Sequence, residues 1–308
     1  MNLKQLQLIC EMVNSDFNVS RTADSLFTTQ PAISTQIKNL EEELSLKMFI
    51  RKGKRITNLT PAGEEIYHYA QEALVNVRAI KSIAQEYTSK DKGTLRIATT
   101  HTQARYALPE VIKAFCQKYP NVQLRIHQGD PAHISEMVIH GEADFAIATE
   151  SISEYDKLAM LPVYQWNRCI VTPKNHPLLK KQKITLQDIV EYPIVTYDFA
   201  FAGRSVINKA FTEHNLKPNI VLTATDSDVI KTYVELGLGI GLLANMAFDD
   251  KKDLNLKKID VSHLFENSTT YVGFKKRQYL RHYMYDFLSL FSPNLSRDSV
   301  DKANDVVT

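Results

Sequence analysis

One change of pattern divides this chain, and it falls at "SKDKG", Ser89 to Gly93. Before it, apolar residues recur at helical spacings. After it, short strand-like runs alternate with helical ones. Such a chain has to build an all-helical core first and α/β layers second. The 308 residues are enough for two or three domains. With 44% hydrophobic and 23% charged residues, and no apolar run of membrane-spanning length, a soluble globular protein is expected. The net charge of +2 means that any nucleic-acid site has to be local. The N-terminus is amphipathic and does not read as a secretory signal. Cys10, Cys116 and Cys169 are odd in number and far apart, as expected of reduced thiols in a cytoplasm.

Residues 1–60 read as a small DNA-binding domain. Leu3, Leu6, Ile9, Cys10 and Val13 give a first amphipathic helix, and Val19, Ala23, Leu26 and Phe27 the apolar face of a second. "TTQPAISTQIKNLEEEL" follows. Thr28 and Thr29 suit an N-cap, and Pro31 suits a first turn. Ile33, Ile37, Leu40 and Leu44 form one narrow stripe that has to face a core, while Pro31, Thr35 and Lys38 point the other way. Two short helices and a tight turn make a helix-turn-helix pattern, although a plain helical bundle would show the same periodicity. The run "KMFIRKGKR" tips the balance, because it holds five basic residues and no acidic one. With Gly53 at a turn, Arg51, Lys52, Lys54 and Arg55 are placed on a hairpin wing that reaches phosphates. Thr28, Thr29, Gln30, Ser34, Thr35 and Lys38 then face the base edges from the front of the third helix. Glu41, Glu42 and Glu43 keep its far end away from the phosphates.

Residues 61–92 are expected to form a long helix and hinge. Ile66, Ala70, Ala73, Val77, Ile80 and Ala84 lie at alternating spacings of four and three, a heptad seam suited to a second copy of the chain. A dimer would present two reading helices to two partly symmetric half-sites of double-stranded DNA. From residue 93 to 308 the βα alternation predicts a parallel-rich sheet in two α/β lobes. Lobe I is expected at about 93–163 and 267–308, and lobe II at about 164–266. Ligands bind at the carboxyl ends of strands in such sheets. There stand "TTHTQ" (Thr99 to Gln103), Thr149, the Gly203-Arg204-Ser205 run, and Thr225 with Asp226.

These residues carry a resemblance. "TADSLFTTQPAISTQIKNLEEELSLKMFIRKGKRITNLTPAG" resembles the DNA-binding domain of LysR-type transcriptional regulators. Ser45 stands where that family usually has Gly. "IATTHTQARYALPEVIKAF", "ADFAIATE", "YQWNR", "TATDSDVIKTYVELGLGIGLLA" and "LRHYMYDF" resemble the CysB/Cbl-like subgroup, which controls cysteine biosynthesis and sulfur acquisition in bacteria. The resemblance implies a winged helix-turn-helix and a linker helix. It also implies a two-lobed effector domain like type 2 periplasmic binding proteins. A dimer of dimers, RNA polymerase contact, and a cytoplasmic, nucleoid-associated place follow from it too. It implies no cofactor, only a small-molecule effector: an acetylserine-type inducer, or a sulfate, thiosulfate or adenylylsulfate-type anion. Binding of that effector between the lobes would reorient them and alter DNA bending.

The residues argue for a small anion or zwitterion in their own right. A helix beginning just after Thr102 would aim backbone N–H groups at the turn, and Thr100, Thr102, Thr149 and Gln103 add side-chain donors. The resemblance assigns these four to the effector site, with Trp166, Ala202, Gly203 and Arg204 in matching motifs. The subgroup has a Thr at the position of Ala202. The loss of that hydrogen bond to a charged ligand costs about 1.5–3 kcal/mol unless another donor substitutes.

Rival readings fare worse. His101 lies among hydroxyl residues, but no GxSxG elbow or HExxH pair accompanies it, so neither an enzyme nor a metal site is expected. A redox sensor would need an exposed thiol, whereas Cys116 and Cys169 read as buried. A transport protein would carry no winged helix-turn-helix.

Overall fold

The third helix is specified by its own ends. Thr29 accepts from the Ala32 N–H, Pro31 sits in the first turn, and the helix α3 runs Gln30–Glu43. Its stripe of Ile33, Ile37 and Leu40 is fully buried, each side chain contributing about 1.5–3 kcal/mol by leaving water. The computed structural model describes residues 1–53, 55–149, 155–198 and 204–304. They fall into two compact units, Met1–Ala84 and a second beginning at Gln85.

In the first unit, α3 packs against α1 (Leu3–Asn14) and α2 (Val19–Ser25). The inward face of α1 is Leu6, Leu8, Ile9 and Met12 rather than the expected Leu3, which is exposed. A hairpin of β1 (Phe49–Lys52) and β2 (Arg55–Leu59) forms the wing, and Met48, Phe49, Ile56 and Leu59 join the same core. The helix α4 then runs Pro61–Thr88, about 42 Å at 1.5 Å per residue. Gly63 lets it start close to the wing, since a Cβ there would lie 2.2 Å from the Met48 carbonyl oxygen.

The expected seam on α4 divides in two. Ala70 is buried in the core of its own unit, and Ile66 and Ala73 pack partly against it. The winged helix has no other cover for that edge, so it claims the first half of the seam. Val77 is half-buried, and Ile80 and Ala84 are exposed. Tyr69, Ile80, Ile83 and Tyr87 are the exposed large hydrophobics of α4.

The second unit holds two five-stranded sheets. One has the order β4-β3-β5-β12-β6, from Val122–Gln128, Gly93–Thr99, Phe145–Thr149, Ser268–Lys275 and Leu158–Trp166. Strand β3 pairs parallel with β4 and β5, while β12 pairs antiparallel with β5 and β6. Helices α5 (Pro109–Lys118), α6 (Pro131–Ile139), α10 (His282–Phe291) and α11 (Arg297–Ala303) pack on this lobe. Phe145 stacks on Phe287 at its centre, with centroids 5.9 Å apart.

The other sheet has the order β11-β7-β10-β8-β9, from Leu256–Asp260, Arg168–Pro173, Ile240–Ala244, Ile194–Tyr197 and Ile220–Ala224. Helices α7 (Leu186–Val190), α8 (Arg204–Glu213) and α9 (Ser227–Glu235) complete the second lobe. Both sheets are mixed rather than wholly parallel, because the strand each lobe takes from beyond a crossover enters antiparallel.

The chain changes lobes at Asn167 and returns just before Ser268, so β6 stays whole in the first lobe instead of breaking at 163. Asn167 pins the two crossings together by donating to the Ser262 and Phe265 carbonyls, each at 3.1 Å. Arg281, 2% exposed, grips the end of α4 within this unit. Its guanidinium donates to Glu86 Oε2 at 2.9 Å, Gln85 Oε1 at 3.3 Å and the Ser89 carbonyl at 3.0 Å.

Ser45 takes φ +53°, directly after α3, where a Leu46 N–H to Glu41 C=O bond of 3.1 Å closes the helix. That left-handed position suits glycine. Ser45→Gly is expected to stabilise the first unit by about 0.5–1 kcal/mol, after the added unfolded-state entropy is subtracted. Urea unfolding followed by circular dichroism measures it.

Candidate functional site

The front of α3 is open. Thr29, Gln30, Pro31, Ser34, Thr35 and Lys38 are exposed, and Thr28 is half-buried. Two of these side chains already have work within the unit. Thr29 caps α3, and Gln30 donates from Nε2 to Ser20 Oγ at 2.6 Å, which orients its amide. On the wing, Arg51, Lys52 and Arg55 are exposed. Lys54 lies outside the described residues. Phe27, expected on the apolar face of α2, instead stands 97% exposed in the turn before α3 at φ +51°. The chain there closes α2 with a Thr28 N–H to Ala23 C=O bond of 2.9 Å, which turns residue 27 outward.

Glu41 also departs from expectation. It is 3% exposed and does not crowd the surface with Glu42 and Glu43. Its Oε1 accepts from the Met48 and Phe49 N–H groups at 3.1 and 3.3 Å, and its Oε2 faces Lys47 at 3.0 Å and Arg51 at 3.8 Å. A buried carboxylate therefore fixes where the wing leaves α3. Sequence alone could not separate it from its two acidic neighbours.

In the second unit the polar turn leaves the carboxyl end of β3. Helix begins at His101 rather than after Thr102. Its first i→i−4 bond runs from the Ala104 N–H to the Thr100 C=O at 3.1 Å. The N–H groups of residues 101 to 103 therefore precede the helical ladder. Gln103–Ala107 then form a π-helical turn before α5. Thr100 is half-buried, and Thr102, Gln103 and Thr149 are buried.

The hydroxyls of Thr100 and Thr149 have no side-chain hydrogen bond among the described residues. In the other lobe the Tyr197 hydroxyl pairs with Ser227 Oγ at 2.6 Å and accepts from the Ala244 N–H at 3.2 Å. Gln103 is more committed than expected. Its Nε2 donates to Thr270 Oγ1 at 3.2 Å and its Oε1 accepts from the Tyr164 hydroxyl, so one amide N–H remains for a ligand.

Strand register explains the gathering. Thr270 faces both Thr149 and Tyr164, and Ser268 faces Trp166. The indole Nε1–H of Trp166 and Nδ1 of His101 are buried without a partner among the described residues. Trp166 packs in the second lobe's core, with the Arg168 guanidinium carbon 5.0 Å from its ring centroid. Thr225 is exposed. Asp226 caps α9 by accepting from the Val229 N–H at 2.8 Å, so it is no donor to an anion. Ala202 and Gly203 lie outside the described residues, as does the side chain of Arg204, which begins α8.

His101, Asp226 and Asp228 bring potential ligand atoms within 4.8 Å of one another. Asp228 is already held by Arg105 Nε at 2.7 Å and Lys231 Nζ at 3.2 Å, which occupy the place of a cation. Cys169 is buried, and burial pushes its thiol up to about 12, far from the thiolate a redox sensor needs. Cys116 is exposed, contrary to expectation, because it lies on the outer face of α5.

A winged helix with an open reading face, together with two α/β lobes meeting at a polar turn, defines the class of ligand-responsive DNA-binding regulators. Residues 3–64 match the family described as bacterial regulatory helix-turn-helix protein, lysR family, and residues 88–296 that described as LysR substrate binding domain. The chain is 49% identical to the HTH-type transcriptional regulator CysB of Haemophilus influenzae, over 98% of this chain and 94% of that one. It is 45% identical to the HTH-type transcriptional regulator SsuR of Burkholderia cenocepacia, over 97% of each. The crystal structure of the cofactor-binding domain of the Cbl transcriptional regulator overlays with a TM-score of 0.67 at 44% identity, covering 68% of this chain and 92% of that one. The chain belongs to the LysR family of transcriptional regulators. It is a DNA-binding regulator and not an enzyme.

Removal of the Glu41 carboxylate orphans two buried N–H groups. Glu41→Ala is expected to destabilise the first unit by about 3 kcal/mol, and Glu41→Gln, which keeps an acceptor, by less than half as much. Denaturant unfolding of the two variants beside the wild type checks the ratio.

Proposed function

We propose that this regulator controls genes of cysteine biosynthesis and sulfur acquisition in a bacterial cytoplasm. The reading includes a small anionic or zwitterionic effector of that chemistry, bound at the Thr100–Gln103 turn. The observation that carries it is the turn itself. The hydroxyls of Thr100 and Thr149 and the helix-start N–H groups stand at the carboxyl ends of the neighbouring strands β3 and β5, and Trp166, at the end of β6, keeps an unpartnered Nε1–H. Such a donor-rich, uncharged set favours negative oxygen atoms and selects among them by geometry. The near-half identity to proteins named CysB and SsuR over almost the whole chain supports the sulfur assignment.

DNA recognition is assigned to Thr28, Thr29, Gln30, Pro31, Ser34, Thr35 and Lys38, with Arg51, Lys52, Lys54 and Arg55 on phosphates. Self-association as a dimer of dimers uses the outer half of α4, where Ile80 is 67% exposed and Tyr87 more so. Effector binding shifts the balance between two arrangements of the assembly on DNA, and so alters contact with RNA polymerase. That requires unequal affinity for the two.

Two measurements test the reading. Calorimetric titration of the full chain with O-acetylserine, sulfate and thiosulfate should show binding of at least one. Thr100→Ala should weaken it about tenfold or more, the effect of one hydrogen bond to a charged ligand. Unchanged affinity removes the turn from the site. For the assembly, Ile80→Glu places a charge on the exposed seam and is expected to lower the sedimentation mass of the full chain, with its circular dichroism spectrum retained.

A further inference from the structure

The effector turn does not belong to the first lobe alone. Arg105 and Tyr106, in its last residues, reach across to α9 of the second lobe. Arg105 Nε lies 2.7 Å from Asp228 Oδ2, and the Tyr106 hydroxyl donates to Asp228 Oδ1 at 2.7 Å. The same hydroxyl accepts from Lys231 Nζ at 3.2 Å. Lys231 is 7% exposed and is held from behind by the Asp253 carboxylate at 2.9 and 3.1 Å and the Ala247 carbonyl at 3.0 Å. The Tyr106 ring packs against the second lobe's core, which also contains Trp166.

The charges complement one another throughout. Burial and the Asp228 acceptor push the Tyr106 hydroxyl up to about 12, so it stays a donor. Burial alone would raise the Asp228 carboxyl, but the Tyr106 hydrogen bond and the Lys231 and Arg105 charges outweigh it and hold it below the usual range. None of these four side chains is among the groups that converge on the effector.

We infer that Arg105, Tyr106, Asp228 and Lys231 form a clasp between the lobes that positions the effector turn, and that they set effector affinity without touching the effector. The inference rests on the reading of Thr100–Gln103 as the effector site. The physical reason is that the Thr100–Gln103 donors and the Arg105 and Tyr106 half of the clasp lie on one short helical segment. If the clasp opens, the turn follows one lobe only, and the fraction of chain with a complete site falls. Apparent affinity falls by that same fraction.

The test uses the full chain, with Tyr106→Phe, Asp228→Asn and the double variant. Tyr106→Phe keeps the ring, and Asp228→Asn keeps the size. Thiosulfate and O-acetylserine are the probes, and the single Trp166 reports the lobes by its emission. Each single variant should weaken probe binding about tenfold, and the double no more than the stronger single, because both remove one unit. In the ligand-free variants the Trp166 emission should shift, and saturating probe should restore it.

Unchanged affinity, additive losses, or an emission that saturating probe does not restore would each overturn the clasp. If the wild type binds neither probe, the effector reading fails. The ligand-free Trp166 emission and the small-angle scattering radius then decide the clasp separately. A shift of both in Tyr106→Phe supports it, and no shift in either overturns it.

Discussion

Polar groups taken out of water have to find partners, and the turn that leaves β3 puts several of them out of water at once. Thr102 and Gln103 are buried, and neither can be satisfied by its own segment. Gln103 turns inward to Thr270 and Tyr164 of its own lobe. The same demand draws Tyr106 onto Asp228. Because an unmade hydrogen bond on a buried group costs about 1–3 kcal/mol, these bonds tie the segment to both lobes. Thr100, Thr149 and Trp166 keep donors without a side-chain partner among the described residues.

The DNA-binding unit obeys the same economy with a charge. Glu41 would be costly to bury alone. Two backbone N–H groups and the Lys47 and Arg51 cations satisfy it, so the wing is registered to the end of the reading helix. A consequence is that Arg51 is partly neutralised, which leaves Lys52 and Arg55 as the described wing cations without a carboxylate beside them. On the exposed front of α3 the Gln30 amide is oriented by Ser20.

Ligand response asks for mechanical continuity, and the second unit supplies part of it. Arg281, buried and stacked on Tyr283, holds three groups on the last turn and end of α4. The end of the long helix is therefore a component of the effector unit and not a loose tether at "SKDKG".

Local periodicity and end signals made much of the architecture legible. The α3 stripe, the wing, the strands β3, β4 and β5, and the cluster of polar residues after β3 could all be placed from spacing, caps and turn residues. The family resemblance extended this to the two lobes. What failed were inferences about which face of an amphipathic segment meets what. Ala70 and Ile66 belong to the core of their own unit, Phe27 points into solvent, Cys116 lies on the surface, and Glu41 is buried while Glu42 and Glu43 are not.

Those outcomes depend on partners distant in sequence. So do the antiparallel entry of β12, which brings Thr270 to Gln103, and the approach of Asp228 to Arg105 and Tyr106. The sequence by itself determined the elements, the two kinds of core and the cluster of polar side chains after β3, because those follow from contacts within a few residues. Only the tertiary structure decided which polar groups are taken up by partners within and between the lobes and which are left without one. Each hydrogen bond consumes a donor, and its acceptor here stands more than a hundred residues away along the chain.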